Sequence, residues 1–265
     1  MVSVEGVRQQ LLELAHDLGD GRHMAILGEG NISGTLDAQR FLVKASGTQL
    51  STLQPEHLVE VDARPLLAAL AAGEELADQD IERLLLQARI DPDALKPSVE
   101  TLFHAWLLAL PGVQVVGHVH AIAVNQVLCS PRVKEFATRR VIPDQVVYCG
   151  AESVLVPYVD PGFTLARRLG KEVEAFRERT GTLPKTILLE NHGVIAIGKQ
   201  HTEVMAALAM AEKAARIFVG AAALGGPVFM DEHQVQRIAG RTDEHYRQRM
   251  LQTNLARSEH AGPTN

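Results

Sequence analysis

Two histidines separated by one residue, His118 and His120, lie in a valine-rich segment that predicts a β-strand. Because alternate residues of a strand face the same side of the sheet, both imidazoles should point the same way. A third histidine, His192, lies in the turn-like segment 190–193, which could bring it to the same place. Three imidazole nitrogens that leave coordination positions open are typical of a catalytic divalent metal site, above all of zinc. Without supporting motifs, the same pair could be two half-exposed histidines at a strand end.

Glu100 is a candidate site residue in the predicted first turn of a helix. Ser98 is a good N-cap, and apolar residues follow at helical spacing, at Leu102, Trp106, Ala109 and Leu110. The sequence therefore predicts a helix over 98–110, whose free N–H groups could also hold an anion. Glu100 could instead be an acid that only interacts with the helix dipole. His104, four residues later on the same face, is expected to support the site rather than to bind metal.

Two turns rich in small residues precede this helix, at 28–33 and 44–47. Turns of this kind at strand ends let backbone N–H groups approach a phosphate or a carboxylate closely. Asn31 could also serve only its turn, since asparagine tolerates unusual backbone angles.

These segments together resemble the class II aldolase/adducin family. Its usual order is a Gly-Asn-x-Ser turn, a Ser/Thr-Gly turn, Pro-Ser-x-Glu, His-x-His and a late His-Gly. All five occur here in that order between residues 28 and 193. Within the family, the pattern is most similar to that of the L-fuculose-1-phosphate aldolases. The resemblance implies an α/β fold, a three-layer αβα sandwich with a central, mostly antiparallel sheet, and a homotetramer.

The resemblance also implies roles for individual residues. Zinc, or another divalent metal such as Mn2+ or Co2+, would be bound by His118, His120 and His192. Glu100 would be the acid–base group beside the metal, and the substrate phosphate would be held by Asn31, Ser46, Gly47 and Ser98. Relatives often carry a second serine before the glutamate, where this chain has Val99. Tyr148 aligns, with a one-residue insertion, with the tyrosine that donates a proton in the aldolases.

The function that the resemblance implies is metal-dependent retro-aldol cleavage of a ketose 1-phosphate to dihydroxyacetone phosphate and an aldehyde. Other enzymes of the family stay open as alternatives: a sugar-phosphate dehydratase, a decarboxylase or a 4-epimerase. Epimerases tend to have aspartate at the position of Glu100, which disfavours them. A non-catalytic assembly domain, as in adducin, is disfavoured by the complete set of three histidines and Glu100.

Composition limits the classes of partner. A formal net charge of −6 without a lysine- or arginine-rich run disfavours nucleic acid. Charges interrupt the apolar stretches before the ~20 residues that a membrane span requires, and the first residues lack a secretory pattern. Cys129 and Cys149 form neither a metal-binding spacing nor a disulfide framework, so we expect reduced cysteines in a cytoplasmic protein. The expected partner is a small-molecule sugar phosphate, with neither nucleic acid nor membrane.

The 265 residues could form one large domain or two small ones. Because the five motifs must converge on one site, we expect one domain over 1–257, followed by a flexible polar tail over 258–265. Strands and helices are mixed without a regular βαβ alternation. Extended segments are predicted within 24–62 and at 113–119, 141–157 and 186–198. Helices are predicted over 3–18, within 64–90, and over 98–110, 121–128, 163–178, 201–224 and 242–257.

Overall fold

A computed structural model describes residues 3–241 of the chain. Its strands are β1 (Asn31–Thr35), β2 (Arg40–Lys44), β3 (Leu58–Asp62), β4 (Val115–Val119), β5 (Val154–Val156), β6 (Thr186–Leu189) and β7 (Gly193–Gly198). They form one seven-stranded sheet in the order β3-β2-β1-β4-β7-β6-β5. Neighbouring strands are antiparallel except for β5 and β6, which are parallel. The central, mostly antiparallel sheet expected from the sequence is confirmed.

The described residues also contain ten α-helices. They are α1 (Val4–His16), α2 (Ala63–Ala72), α3 (Asp78–Gln87), α4 (Thr101–Leu108), α5 (Ile122–Leu128), α6 (Val133–Thr138), α7 (Pro143–Cys149), α8 (Phe163–Thr180), α9 (His201–Ala222) and α10 (Glu232–Ala239). A π-helical turn, Asp17–Gly21, follows α1, and short 3-10 turns lie at Leu50–Thr52 and Pro55–His57. None of the helices within residues 3–241 combines the length and apolar character needed to cross a bilayer.

Alternate strand residues face two separate layers of helices. On β2, Leu42 belongs to the core shared with α1, α5 and α9, whereas Phe41 and Val43 belong to the core shared with α4 and α8. Val194 and Ile195 on β7 divide between the same two cores. Since each buried aliphatic or aromatic side chain stabilises the fold by ~1.5–3 kcal/mol, both cores hold the sheet in place. The three-layer αβα sandwich is therefore confirmed.

The strand register brings three chain segments together at one end of the sheet. His118, near the end of β4, pairs with Asn31 at the start of β1 on one side and with Ile195 of β7 on the other. Val119 pairs with Val194, so the turn between β6 and β7 lies next to the last residues of β4. This end of the sheet carries the candidate site.

The segment 141–157, expected to be extended, contains a helix instead. Pro143 has the fixed φ that suits the first helical position, and Gly150, at φ 87°, ends α7. The valines between them belong to a helix that packs against α9 and α10, and a buried helix and a buried strand have similar apolar patterns. Only Val154–Val156 of this segment is a strand. Helices α6 and α10 are further elements that the sequence pattern does not predict, and the expected helix 242–257 and tail 258–265 lie outside the described residues.

Candidate metal centre

Strand β4 and the residue that follows it direct His118 and His120 to one side of the sheet. Its other side is packed so closely against α9 that a Cβ on Gly117 would lie 2.7 Å from Cγ1 of Val204. His118 therefore points away from α9 and toward α4, where its ring contacts Phe103 edge to face with centroids 5.7 Å apart. His118 is fully buried and His120 is partly exposed. The period of two along the strand thus presents both imidazoles to one side, as predicted.

His192 lies in the turn between β6 and β7. Leu189 pairs with Gly193, so residues 190–192 form the loop of a hairpin. Asn191 adopts a left-handed backbone conformation at φ 55°, which asparagine tolerates better than most residues. The backbone N–H of His192 donates to the carbonyl of Leu189 at 3.1 Å, and Nδ2 of Asn125 donates to the carbonyl of His192 at 3.0 Å. One hydrogen bond within the hairpin and one from α5 therefore hold the loop in place.

Gly193 lets this hairpin approach β4. A Cβ at this position would lie 2.6 Å from the carbonyl oxygen of Val119, 2.8 Å from Cδ2 of His120 and 2.9 Å from Cε1 of His118. All three distances are shorter than van der Waals contact allows, and two of the atoms belong to the histidine rings themselves. Only glycine therefore permits this separation between the hairpin and the paired histidines.

The three histidines have the arrangement of a metal-binding set. Their ligand nitrogens all lie within 4.8 Å of one another. Nε2 of His118 and Nε2 of His120 are 3.1 Å apart, close to the separation of about 3.3 Å that ~2.05 Å bonds to a tetrahedral zinc would give. Nδ1 of His118 lies 3.2 Å from the carbonyl oxygen of Val194. Because a carbonyl only accepts, Nδ1 carries the proton, and the lone pair of Nε2 faces the other two histidines.

Burial keeps the imidazoles of His118 and His120 in the neutral form that binds a metal. Loss of solvation lowers the pKa of His118 to about 3, although the negative charge of Glu100 opposes the shift. Loss of solvation also lowers the pKa of His120, which the carboxylates of Glu29 and Glu100 oppose. A protonated imidazole nitrogen has no lone pair for a metal, so these residues can coordinate at neutral pH without first losing a proton. The donor set fits a zinc-type divalent ion.

Glu100 faces the histidines but is not one of the three clustered ligands. Its Oε1 lies 3.2 Å from Nε2 of His192 and 3.6 Å from Nε2 of His118. Its Oε2 accepts a hydrogen bond from Nδ2 of Asn31. Burial raises the pKa of Glu100, but the charge of the neighbouring imidazoles when they are protonated, that of His118 first, and a hydrogen bond with His192 lower it to about 2. The carboxylate is thus ionised at neutral pH and can accept a proton next to the metal position.

The helix that carries Glu100 begins later than expected, at Thr101 instead of at the residue after Ser98. The hydroxyl of Ser98 accepts a hydrogen bond from the N–H of Glu100 at 3.3 Å, and its carbonyl accepts one from the N–H of Thr101 at 3.0 Å. A short turn therefore precedes α4 and leaves Glu100 at the N-cap position. Its carboxylate makes no capping hydrogen bond with the helix, so it is free to face the histidines.

His104 supports the site from within the core. It is completely buried, and its Nδ1 lies 2.6 Å from the hydroxyl of Ser33. Loss of solvation lowers the pKa of His104 to about 3, so the ring is neutral. His104 does not belong to the ligand cluster, in agreement with its expected supporting role.

The Ser-Gly turn lies beside the turn that precedes α4. The backbone N–H of Ser46 donates to the carbonyl of Lys96 at 2.8 Å, two residues before Ser98. Gly47 has φ 75°, and the space that a side chain would occupy there is open. The candidate substrate-binding residues are thus gathered at the same end of the sheet as the histidines: Asn31, Ser46, Gly47 and Ser98.

Lys44 is a buried cation beside the site that the motifs do not single out. It is 1% exposed, and its Nζ donates to the carbonyl oxygens of Thr48 at 2.7 Å and Gly28 at 3.3 Å. Burial lowers the pKa of Lys44 to about 8, although the charge of Glu100 opposes the shift. The ammonium group therefore ties the Gly-Asn turn to the Ser-Gly turn. Its inward position, on the same side of β2 as Leu42, is the sequence signal that could have identified it.

Val99 and Tyr148 lie in different surroundings. Val99 is 41% exposed and packs beside Gly162, whose Cβ would lie 3.7 Å away. Tyr148 is part of α7, which packs against α9 and α10. The hydrogen bonds within residues 3–241 do not join Tyr148 to Glu100 or to the three histidines. Its role as a proton donor stays a prediction.

Comparison with known proteins decides the family. The Class II Aldolase and Adducin N-terminal domain, as a sequence model, matches residues 9–219, a span that contains the three histidines and Glu100. The chain belongs to the class II aldolase and adducin family. The assignment expected from the five motifs is confirmed.

Individual members of the family are distant in sequence. The Bacillus subtilis (strain 168) protein called "Uncharacterized oxidoreductase YuxG" is 27% identical over an alignment of 202 residues, and the match covers 72% of this chain and 26% of that protein. The chain therefore spans about a quarter of the length of this relative. Among solved structures, YgbL from Klebsiella pneumoniae is 21% identical with a TM-score of 0.69, covering 90% of this chain and 100% of that one. An L-fuculose 1-phosphate aldolase is 17% identical with a TM-score of 0.67, covering 90% and 96%. These structures share the fold of the chain.

Proposed function

We propose that the protein is a zinc-dependent lyase that cleaves a ketose 1-phosphate to dihydroxyacetone phosphate and an aldehyde. The observation that supports this most strongly is the position of Glu100 Oε1, 3.2 Å from Nε2 of His192, beside three histidine nitrogens that converge within 4.8 Å. A retro-aldol enzyme of this kind needs a metal with open positions and a carboxylate that is not a ligand. His118, His120 and His192 would hold the metal, and Glu100 would be that carboxylate.

When bound, the metal supplies Lewis acidity to the carbonyl oxygen of the substrate. The other steps belong to the residues of the chain. In the condensation direction, the ionised Glu100 takes a proton from C3 of dihydroxyacetone phosphate, and the electron pair of that C–H bond forms the new C3–C4 bond. In cleavage the electron pair of the C3–C4 bond returns to C3, where Glu100 delivers the proton. Tyr148, or a water molecule, would exchange the proton on the aldehyde oxygen.

The substrate phosphate would be held mainly by neutral donors. Nδ2 of Asn31 already donates to Glu100, and the N–H of Ser46 already donates to a backbone carbonyl. The groups that remain for a phosphate are the hydroxyls of Ser46 and Ser98 and the N–H of Gly47, a residue at which the space for a side chain is open. Val99 adds no hydroxyl to this set. We therefore expect phosphorylated substrates to be preferred, but held less tightly than in relatives with two serines.

The same site favours other activities less strongly. A dehydratase or a decarboxylase would use a similar glutamate and the same metal ligands, and a 4-epimerase would more often have aspartate in place of Glu100. Aldolase, epimerase and decarboxylase are all named as candidate activities of YgbL from Klebsiella pneumoniae. A purely structural, adducin-like role would leave the three histidines and Glu100 without a purpose.

We also propose a homotetramer in the cytoplasm, with the metal site near a contact between subunits. Three apolar side chains near the site are exposed: Ile26 at 61%, Leu27 at 72% and Ile122 at 69%. Ile26 and Leu27 precede the Gly-Asn turn, and Ile122 follows His120 by two residues. Apolar side chains at this exposure are stabilised when a second copy of the chain covers them. Cys129 is exposed and Cys149 is buried, and a cytoplasmic location, where thiols stay reduced, is part of this proposal.

The test is a screen of ketose 1-phosphates with the zinc-loaded protein, followed through release of dihydroxyacetone phosphate. Each sugar is paired with its unphosphorylated form, and the Glu100→Gln variant provides the background rate. Release from at least one phosphorylated ketose, lost in the variant and after removal of metal by a chelator, supports the proposal. Loss of water or carbon dioxide from a sugar acid, without dihydroxyacetone phosphate, would instead favour a dehydratase or a decarboxylase.

A further inference from the structure

We propose that Glu29 positions His120 for metal binding, an inference that rests on the metal centre of the proposed function. Oε1 of Glu29 lies 3.6 Å from Nδ1 of His120. The other ring nitrogen of His120, Nε2, is the one that lies 3.1 Å from Nε2 of His118. The two nitrogens of His120 therefore have separate partners, one toward the ligand cluster and the other toward a carboxylate.

This arrangement determines which nitrogen of His120 binds the ion. A carboxylate only accepts, so it favours the tautomer in which Nδ1 of His120 carries the proton and Nε2 is bare. A metal on Nε2 withdraws electron density from the ring and makes the Nδ1 proton more acidic, which strengthens its attraction to Glu29. Carboxylates in this position raise the basicity of the ligand and hold its ring in place. His118 has a backbone carbonyl, that of Val194, in the corresponding position.

Glu29 is itself held by its own loop. Its Oε2 accepts a hydrogen bond from the N–H of Ile26 at 3.1 Å, and its N–H donates to the carbonyl of Ile26 at 3.0 Å. Leu27, between them, has a positive φ of 52°, which is unfavourable for a leucine and shapes a tight turn. The next residue after Glu29 is Gly30, whose Cβ would lie only 2.8 Å from the carbonyl oxygen of His118. The carboxylate is thus presented to His120 by a loop that packs directly against β4.

A second histidine–glutamate pair provides a matched comparison. Glu13 of α1 lies 3.6 Å from Nε2 of His201 at the start of α9. The side chains of Glu13 and Glu29 are similarly exposed, at 35% and 37%. Gly198 lies three residues before His201 and pairs with Val115. Val115 is the first residue of β4, whereas His118 lies near its other end. This second pair is therefore remote from the ligand cluster. If only an ordinary surface ion pair were involved, the two glutamates should be equally dispensable.

The experiment is a competition titration of the metal-free full-length protein with Zn2+ and a chromophoric chelator. Removing a carboxylate that orients a metal-bound histidine typically weakens metal affinity by about 10–100-fold. We therefore expect a rise of that size in the Kd of Glu29→Ala, a smaller rise in Glu29→Gln, which keeps an acceptor oxygen, and no change in Glu13→Ala. Circular dichroism and the Tm of the metal-free variants should match those of the native protein.

The possible outcomes separate the inference from the metal centre. If the native protein binds Zn2+ and both Glu29 variants bind it within twofold as tightly, the positioning role is wrong while the metal centre stands. An equal loss in Glu13→Ala would also overturn the inference, because it would show a general effect of charge. A native protein that takes up no Zn2+ would overturn the metal centre and the inference with it. Should Glu29→Ala disturb its loop, the nearly isosteric Glu29→Gln decides. A Kd for Zn2+ that rises more than twofold in Glu29→Gln supports the positioning role, and a Kd within twofold of the native value overturns it.

Discussion

The hydroxyl of Ser33 lies 2.6 Å from Nδ1 of His104, one helical turn beyond the hydrogen bond between Asn31 and Glu100. The two residues of β1 are two positions apart, and their partners, one at the N-cap of α4 and one within α4, are four positions apart. Two strand residues span about 6.6 Å and four helical residues about 6.0 Å, so the two contacts match in spacing. They set the position of α4 along β1, and with it the position of the Glu100 carboxylate beside the histidines.

Ser33→Ala should destabilise the protein by about 1–3 kcal/mol, because it leaves Nδ1 of the buried His104 without a partner. The matched control is Thr35→Val on the same strand. Oγ1 of Thr35 is buried and has no hydrogen-bond partner within residues 3–241, so its removal should cost little. Urea unfolding of both variants measures the difference. Equal stability of the two variants would show that the contact between Ser33 and His104 contributes nothing.

Gly193→Ala should lose most of its bound zinc, because the new Cβ would collide with the backbone of Val119 and with the rings of His118 and His120. Displacing the hairpin moves His192 away from the other two ligands. Gly220→Ala in α9 is the control, since no atom lies within 4 Å of its added Cβ. Metal analysis after dialysis compares the two. Full zinc content in Gly193→Ala would mean that the hairpin can shift without affecting the site.

Glu100→Gln should keep the zinc and the fold but lower kcat for the cleavage reaction by ~10²–10⁴-fold, because an amide cannot accept the proton. Glu190→Gln, in the hairpin loop beside His192, is the control, since the Glu190 carboxylate accepts from the N–H of Tyr158 and not from the site. Steady-state kinetics on the best ketose 1-phosphate from the screen, with zinc content measured in parallel, separates chemistry from metal loss. A kcat near the native value would assign the acid–base role to another group.

Val99→Ser should lower KM for a phosphorylated ketose, because a new hydroxyl at this exposed position can donate to the phosphate. A hydrogen bond to a charged group contributes ~1.5–3 kcal/mol, so the decrease should be about tenfold or more. KM for the unphosphorylated ketose should not change, which makes it the internal control. If both KM values stay the same, or if the native protein uses the unphosphorylated sugar as well as its phosphate, the phosphate pocket is assigned wrongly.

The sequence was sufficient where a local rule applies. The common direction of His118 and His120 follows directly from the period of a strand. The α7 helix was missed because its valines suit a buried strand as well as a buried helix, and only Pro143 and Gly150 distinguish the two. The start of α4 was placed too early because Ser98 caps a turn before the helix.

Contacts between distant segments could not be predicted in the same way. Glu29 and His120 are 91 positions apart, and their proximity depends on the pairing of β1 with β4. The same holds for Ser33 with His104, whose contact requires α4 to lie across β1. The strand period places Lys44 on the same side of β2 as Leu42, but the two turns that its ammonium group joins are known only from the fold. Periodicity gives the direction of a side chain, but its partner depends on the fold.

The zinc content of the purified protein tests the central claim most directly. The three converging imidazoles predict close to one zinc or similar divalent ion per chain, and each of His118→Ala, His120→Ala and His192→Ala should reduce that content. The triple variant should hold none above the background of a protein without a site. Elemental analysis together with protein concentration gives the ratio. One ion per chain in the native protein and none in the triple variant is the predicted result, and a triple variant that is still fully loaded would contradict the account.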